Sequence, residues 1–377
     1  MLMGCFRTVK ASIFRRCGPA WLVGLVMLAA SPLWAQTFEP SVSVVAGVQT
    51  SYDHMKVGAT SPLDQFSLGH ARIYLSGTVT KDISLMFNTD YYGGTVNTLG
   101  IQDAVFEYHP SPKFNIWFGR MLPPSDRDNY TGPFYANEWL VYQDGVQDGY
   151  RFIFQGRDNG ITYFGDFKAG TVKIKASLGV FDGATANPGD NRLISGGRIQ
   201  FDFWDPEDGF FLNSTYYGDK NILAVGGATE VQAGKTSSTV DLMMERKIMG
   251  GGAFTIESEF SRYNRLGGYT ATNGNGVSIY KSEGAYGLAS VLFPKQIGIG
   301  KVEVLGKFAD AEFTNGLGGL PSYKQKTTEV DLGYIIKQFD ARVFAFGQDV
   351  TFNGFQAPKD TWQAGIGLQI QMSKTIK

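Results

Sequence analysis

Between positions 361 and 372 the chain alternates without interruption. Trp362, Ala364, Ile366, Leu368, Ile370 and Met372 fall on every second position, with Gln363, Gly365, Gly367, Gln369 and Gln371 between them. Successive side chains of a strand point to opposite faces, so one face here is wholly apolar and the other is glycine and glutamine. A soluble sandwich would normally set Lys, Glu and Thr on its outward face. An apolar outside and a wet, narrow inside is what a strand in a membrane barrel requires. Lipid tolerates no open edge, so this strand is expected to pair with the first one, near 41–52.

The N-terminus fits export. Arg7, Lys10, Arg15 and Arg16 form a basic region, 21–30 is a short apolar core, and Ser31-Pro-Leu-Trp-Ala35 offers a small-residue cleavage site. We read 1–35 as a cleaved signal peptide and 36–377 as the barrel. The apolar core is about half the ~20 residues of a spanning helix. Cys5 and Cys17 both lie in the leader, so the rest has no thiol, disulfide or Cys-metal site. The whole chain is formally −1, and without the four leader cations it is −5, which gives nucleic acid no purchase. No proline run or charge block divides 36–377, and no later segment has 18 consecutive apolar residues.

The rhythm continues along the chain. In 66–79, Ala71, Ile73, Leu75 and Val79 face one way and His70, Arg72, Tyr74, Ser76 and Thr78 the other. Segments 83–92, 101–108, 114–121, 158–168, 171–181 and 192–204 follow, with turns at Thr80-Lys-Asp82 and Pro110-Ser-Pro-Lys113. The longest interruption, 122–157, is rich in Pro, Asp, Asn and Tyr, and a structureless loop of that length is usually functional. It lies opposite the short turns and is expected to fold toward the lumen. Although 210–217 looks strand-like, counting it would place the long 264–279 loop on the short-turn side, so 205–220 is read as a turn region and 221–232 as the strand. Strands at 238–248, 254–263, 280–293, 301–313, 327–337, 339–352 and 362–372 complete the set. The predicted fold class is all-β, a transmembrane antiparallel β-barrel of 16 strands.

Several words in the chain point further. Gly69-His-Ala-Arg-Ile-Tyr-Leu-Ser-Gly77, the hairpin from Asp103 through Tyr108-His-Pro-Ser-Pro-Lys-Phe114, Gly156-Arg-Asp-Asn-Gly160, Ser177-Leu-Gly-Val-Phe-Asp-Gly183 and Phe203-Trp-Asp-Pro-Glu-Asp208 resemble the phosphate-selective porin O/P family of Gram-negative outer membranes. The resemblance covers most of 36–377 and is weakest at 205–280. It implies a trimeric sixteen-stranded barrel, an infolded third loop and a pore lined with basic residues for phosphate or polyphosphate. Arg72 matches as one rung of such a ladder. The chain departs from outer-membrane barrels in lacking a C-terminal aromatic, since it runs on through Ser373-Lys-Thr-Ile-Lys377.

Alternation projects His70, Arg72, Lys173, Lys175, Arg198 and Lys307 inward as basic pore-lining residues. Against them stand Asp90, Asp103, Glu107, Asp202, Asp241, Glu245, Glu257, Glu259, Glu303, Glu329 and Asp331. The basic set gathers in the first half and the wall from Asp241 onward is mostly acidic. Opposite signs on opposite walls give a transverse field that passes polar solutes generally, whereas a ring of one sign selects ions. The plainer reading of the basic residues is pairing with carboxylates on neighbouring strands, holding the wall rigid. Arg127, Arg151 and Arg157 are candidates for the constriction, beside Asp126, Asp128 and Asp158. Tyr91, Tyr92, Trp117, Tyr334 and Trp362 suit interfacial girdles.

Enzyme signals fail. Gly234-Lys-Thr236 lacks the first glycine of a phosphate loop, with Thr229 in its place. His54, His70 and His109 are too scattered for a metal set. Asp103 and Glu107, four residues apart on one strand, stand roughly 13 Å from each other, beyond glycosidase spacings. No cofactor, metal or catalytic residue is expected. The expected function is a passive diffusion channel for small hydrophilic solutes or ions across the bacterial outer membrane, with an anion or phosphate preference as its finer form. The rivals are a barrel enzyme and a plug-less transporter of another solute class. Expected partners are outer-membrane lipid, small polar or ionic solutes, and two further copies of the chain.

Overall fold

A computed structural model describes residues 40–92, 98–146, 156–183, 193–264, 271–272, 278–315 and 322–376. Strands run β1 Ser41–Val57, β2 Leu63–Thr80, β3 Ile83–Tyr92, β4 Thr98–Ser111, β5 Phe114–Met121, β6 Asp158–Ala169, β7 Val172–Phe181, β8 Ile194–Asp202 and β9 Ile222–Gln232. They continue as β10 Lys235–Ile248, β11 Gly252–Asn264, β12 Ala271–Thr272, β13 Ser278–Ile297, β14 Gly300–Asn315, β15 Tyr323–Lys337, β16 Ala341–Gly354 and β17 Thr361–Ile376. β12 is a two-residue ladder on β13. The other sixteen pair antiparallel with their neighbours, and β17 returns to β1, so the sheet closes. The closing seam runs from Val42 opposite Ile376 to Val57 opposite Thr361. The signal segment 1–35 lies outside the described residues.

Alternation sorts side chains as a membrane barrel needs. On β17, Ile370 is 66% exposed while Gln369 and Gln371 are buried; on β15, Val330 is exposed between buried Glu329 and Asp331. Phe106, Phe118, Leu178, Ile199, Val240 and Phe308 continue the outer apolar surface. A water-soluble monomer does not present so large an apolar band, but hydrocarbon solvates it. Trp117 departs from the girdle expectation. It points inward and packs against Phe210 and Phe164 at ring separations of 4.6 and 5.1 Å.

One rim carries short turns at 81–82, 112–113, 170–171, 249–251, 298–299 and 338–340, and the other carries the longer connections, 122–157 among them, together with the two-residue turn 233–234. The one long connection on the short-turn rim is 203–221, the region where sequence pattern was most ambiguous. It contains no strand, and β9 begins at Ile222. Both 122–146 and 203–221 place side chains in the interior. Trp117, Met121, Leu122, Tyr130, Phe210 and Leu212 share one buried cluster.

Candidate functional site: the inner wall and its two infolded segments

Loop 122–146 leaves β5 and bonds to the far side of the sheet. The Gly/Gln face of β17 and its neighbour β1 receive it. A Cβ on Gly47 would lie 2.6 Å from the Phe134 ring, and one on Gly367 would lie 2.2 Å from the Trp139 indole, so glycine is what lets both rings seat on the wall. Gln49 Nε2 donates to Pro133 O (2.9 Å), Gln369 Nε2 to Phe134 O (3.1 Å) and Gln363 Nε2 to Gln143 Oε1 (2.6 Å). Arg342 of β16 donates to Ala136 O (2.7 Å) and Phe134 O (3.3 Å). The face expected to be wet is instead a docking surface. A buried loop brings backbone groups that need partners, and amides and guanidinium supply them.

The acidic half of the wall does the same with carboxylates. Asp331 Oδ2 accepts from Trp139 N (2.9 Å) and Glu329 Oε1 from Leu140 N (3.0 Å). Glu257 accepts from Arg127 Nε (3.3 Å), Ser214 Oγ (2.8 Å) and Tyr286 OH (2.9 Å). Glu245 accepts from Tyr216 N (2.7 Å) and Gly218 N (2.8 Å). Glu303 holds Ser290, to which Asn137 donates. Glu259 accepts from Ser261 and Asp202 from Gln200 and Glu207 N. The transverse-field expectation is corrected accordingly: apart from Glu259, whose bond is to Ser261 of its own strand, these carboxylates are sockets covered by the infolded segments.

The basic residues divide. Lys307, expected to line the pore, is buried between Glu138 (2.9 Å) and Asp144 (2.8 Å) of the loop. Arg198 is buried against Asp241 (2.5 and 2.8 Å) and Ser125 O (3.3 Å). Arg127 is fully buried, with Glu207 at 2.9 and 2.6 Å, which takes it out of reach of a solute and corrects its placement at an open constriction. Lys173 stands near the short-turn rim with Asp166 and Asp208. The Lys175 ammonium is buried with no hydrogen-bonding partner. Arg151 lies outside the described residues. His70 and Arg72 share Asp90, each at 2.7 Å, and Arg157 meets Asp103 at 3.4 Å, with Asn88 on the same carboxylate at 2.9 Å.

Glu107 accepts the Ser84 hydroxyl proton (2.5 Å), while His109 Nε2 lies 2.8 Å from the same oxygen. With its one proton given to Glu107, Ser84 makes His109 the donor, the reverse of a base-activated nucleophile.

Among the loop groups, burial pushes the Asp128 carboxyl well above its usual range, helped by the charges of Glu257, Glu259 and Glu138. Burial acts in the same direction on Glu207, but the Arg127 guanidinium outweighs it and holds that carboxyl below its usual range. Asp208 is lowered chiefly by its hydrogen bond from Lys173.

Two cavities lie along the β1–β4 wall. The one toward the long loops, about 340 Å³, is lined by Gln49, Asp53, His70, Trp139 and Gln143 among others. The one toward the short turns, about 280 Å³, is lined by Arg72, Tyr74, Asp103, Arg157, Tyr135 and Phe211 among others. Pro133 borders the first and Gly132 the second, so this stretch of loop stands between them.

Sequence reasoning missed Arg342, Gln49, Phe134, Trp139 and Glu207. On β16 the apolar Phe344, Phe346 and Val350 face inward with Arg342; Trp139 packs on Phe344 and Phe346, and Phe339 on Arg342. An outward-apolar rule therefore reads this strand backwards. A usable signal was present at 210–217, where Phe210-Phe211-Leu212 and Tyr216-Tyr217 are too apolar for a solvated turn.

A closed sixteen-strand sheet, an apolar exterior and an interior crossed by a loop define the class: an outer-membrane β-barrel of porin architecture. The sequence matches no family model and no curated protein. By structure the chain is similar to OmpF of Salmonella typhi, solved with daunomycin, at TM-score 0.58 and 12% identity over 88% of this chain and 97% of that one. It is similar to the outer membrane channel DcaP of Acinetobacter baumannii at TM-score 0.55 and 13% identity, covering 90% and 99%. OmpT, an outer membrane protein of Vibrio cholerae, follows at TM-score 0.52 and 11% identity, covering 90% and 100%.

Proposed function

We propose that this protein is a passive diffusion channel of the bacterial outer membrane for small hydrophilic solutes, with a modest preference for anions. The observation that carries the reading is the pair of cavities stacked along the β1–β4 wall, on either side of Gly132 and Pro133. The opposite wall is filled by 122–146 and 203–221, so a solute path runs beside His70, Arg72 and Arg157. Arg72, Arg157 and Asp103 line the short-turn cavity, while Asp90, the carboxylate paired with Arg72, is fully buried and does not line it; the guanidiniums therefore present the nearer charge to a solute, and that favours anions. Strict phosphate selectivity has less support. Arg72, Arg127, Arg157, Arg198 and Lys307 are each held by a carboxylate, unlike the open basic ladder that the family resemblance implies. A homotrimer is proposed from that resemblance.

The test is planar-bilayer conductance of the purified protein in a KCl gradient. The wild type should show a reversal potential on the anion side. Arg72→Gln combined with Arg157→Gln should move it toward cations, without the like-charge clash that a glutamate would meet at Asp90. No movement would place both guanidiniums off the path.

A further inference from the structure

The connection between β8 and β9 breaks the pattern of its rim, where the other turns have two or three residues. It does not extend into solvent: Phe210, Leu212, Ser214, Thr215 and Tyr217 are buried. It meets the loop that enters from the opposite rim. Arg127 donates both terminal nitrogens to Glu207 and one of them to Asn213 O (2.9 Å). Leu212 N donates to Tyr130 O (3.2 Å) and Ser214 N to Tyr135 O (3.1 Å). Phe210 packs on Tyr130 at 4.7 Å between ring centres. Gln200 Nε2 and Tyr216 OH complete the shell of Glu207, each at 2.8 Å.

A fully buried ion pair loses hydration on both sides and persists only where hydrogen bonds answer each charge. Here they do, and the two charges belong to segments from opposite faces of the membrane. Phe211, Leu212 and Asn213 also line the short-turn cavity. We propose that 203–221 is a second constriction element, and that Glu207 is the positioning residue that locks loop 122–146 in place from the short-turn side. The proposal rests on the channel reading above. On this geometry the width of the path is set by two interlocked segments, and removing the inner one opens its short-turn mouth.

The test compares single channels of the full-length protein in KCl. One variant replaces 206–220 with Asn-Gly, a favoured two-residue hairpin turn. Asp205 N already donates to Asn221 O, so the flanking register exists. Conductance should rise roughly two-fold, since flow follows the free cross-section. Glu207→Gln should give unstable current levels, because Arg127 then keeps only Glu257 (3.3 Å) and Asn213 O (2.9 Å) as partners and the hold on the loop weakens. A turn variant that keeps the heat-modifiable folded band yet conducts like the wild type overturns the proposal. Should that variant not fold, Phe211→Cys serves, because the chain has no cysteine beyond Cys17. A bulky cationic thiol reagent added on the short-turn side should then reduce current, and unchanged current overturns the proposal equally. A wild type that forms no channels would instead overturn the channel reading itself.

Discussion

Arg342 is fully buried and reaches Pro133 O, Phe134 O and Ala136 O of the loop, Gln369 of β17 and Tyr217 of the short-turn segment. Arg342→Met keeps much of the volume but leaves buried carbonyls unanswered, at about 1–3 kcal/mol for each one that finds no other donor. The barrel should still form, with 130–145 becoming open to proteolysis; resistance equal to wild type would sink this assignment. Asp128 carries the opposite lesson. Its carboxyl is held well above the usual range by burial and by Glu257, Glu259 and Glu138. An acid raised on folding favours the native state below its unfolded pKa, and that contribution is lost as pH rises. Asp128→Asn should therefore gain stability relative to wild type as pH rises above the ordinary carboxylate range, about 4, read from urea unfolding at several pH values. A difference independent of pH would show that Asp128 is ionised in the folded loop. The Arg127–Glu207 lock runs the other way: Glu207 is lowered, so its contribution persists above the ordinary carboxylate range and fades only below it.

At the level of elements, β17 shows why period-two reading works and where it stops. Its outer face, Ile366, Leu368, Ile370 and Met372, was legible because lipid imposes one chemical demand on every residue that meets it. Nitroxide labels there should report oxygen-rich lipid, whereas labels at Gln369 and Gln371 should report neither lipid nor freely exchanging water, because Phe134 of the loop covers the first and Phe339 of the β15–β16 turn holds the second. Free water accessibility at 369 would mean the loop is not docked. The inner face was misread as wet because Gln and Gly suit both a water-lined wall and a docking surface. What distinguishes the two is the partner, and Phe134 and Trp139 lie more than two hundred positions away. β16 was harder still, since Phe344 and Phe346 turn inward onto Trp139.

For the whole molecule, closure is the governing fact. The β1–β17 seam extends through Ser373 to Ile376, opposite Val45 to Val42, so this polar stretch is part of the closing strand. Removing 374–377 deletes the last pairs with Val44, Ser43 and Val42. The truncated barrel should lose its folded band in SDS at a lower temperature than the full chain. An unchanged transition would place the closure-determining pairs nearer Tyr52.

Local order alone determined that this chain is a barrel. A lipid-facing side chain is tested by solvent, not by a particular neighbour, so alternation, turn spacing and strand number could be read along most of 41–372, with β16 and 203–221 as the exceptions. The interior obeys a different rule. Whether Glu257 faces a solute or holds Arg127, whether Gln369 meets water or Phe134 O, and whether 203–221 is a surface turn or half of a lock depend on what lies across the barrel. Those contacts join positions far apart in the chain, and only the closed sheet brings them within hydrogen-bonding distance.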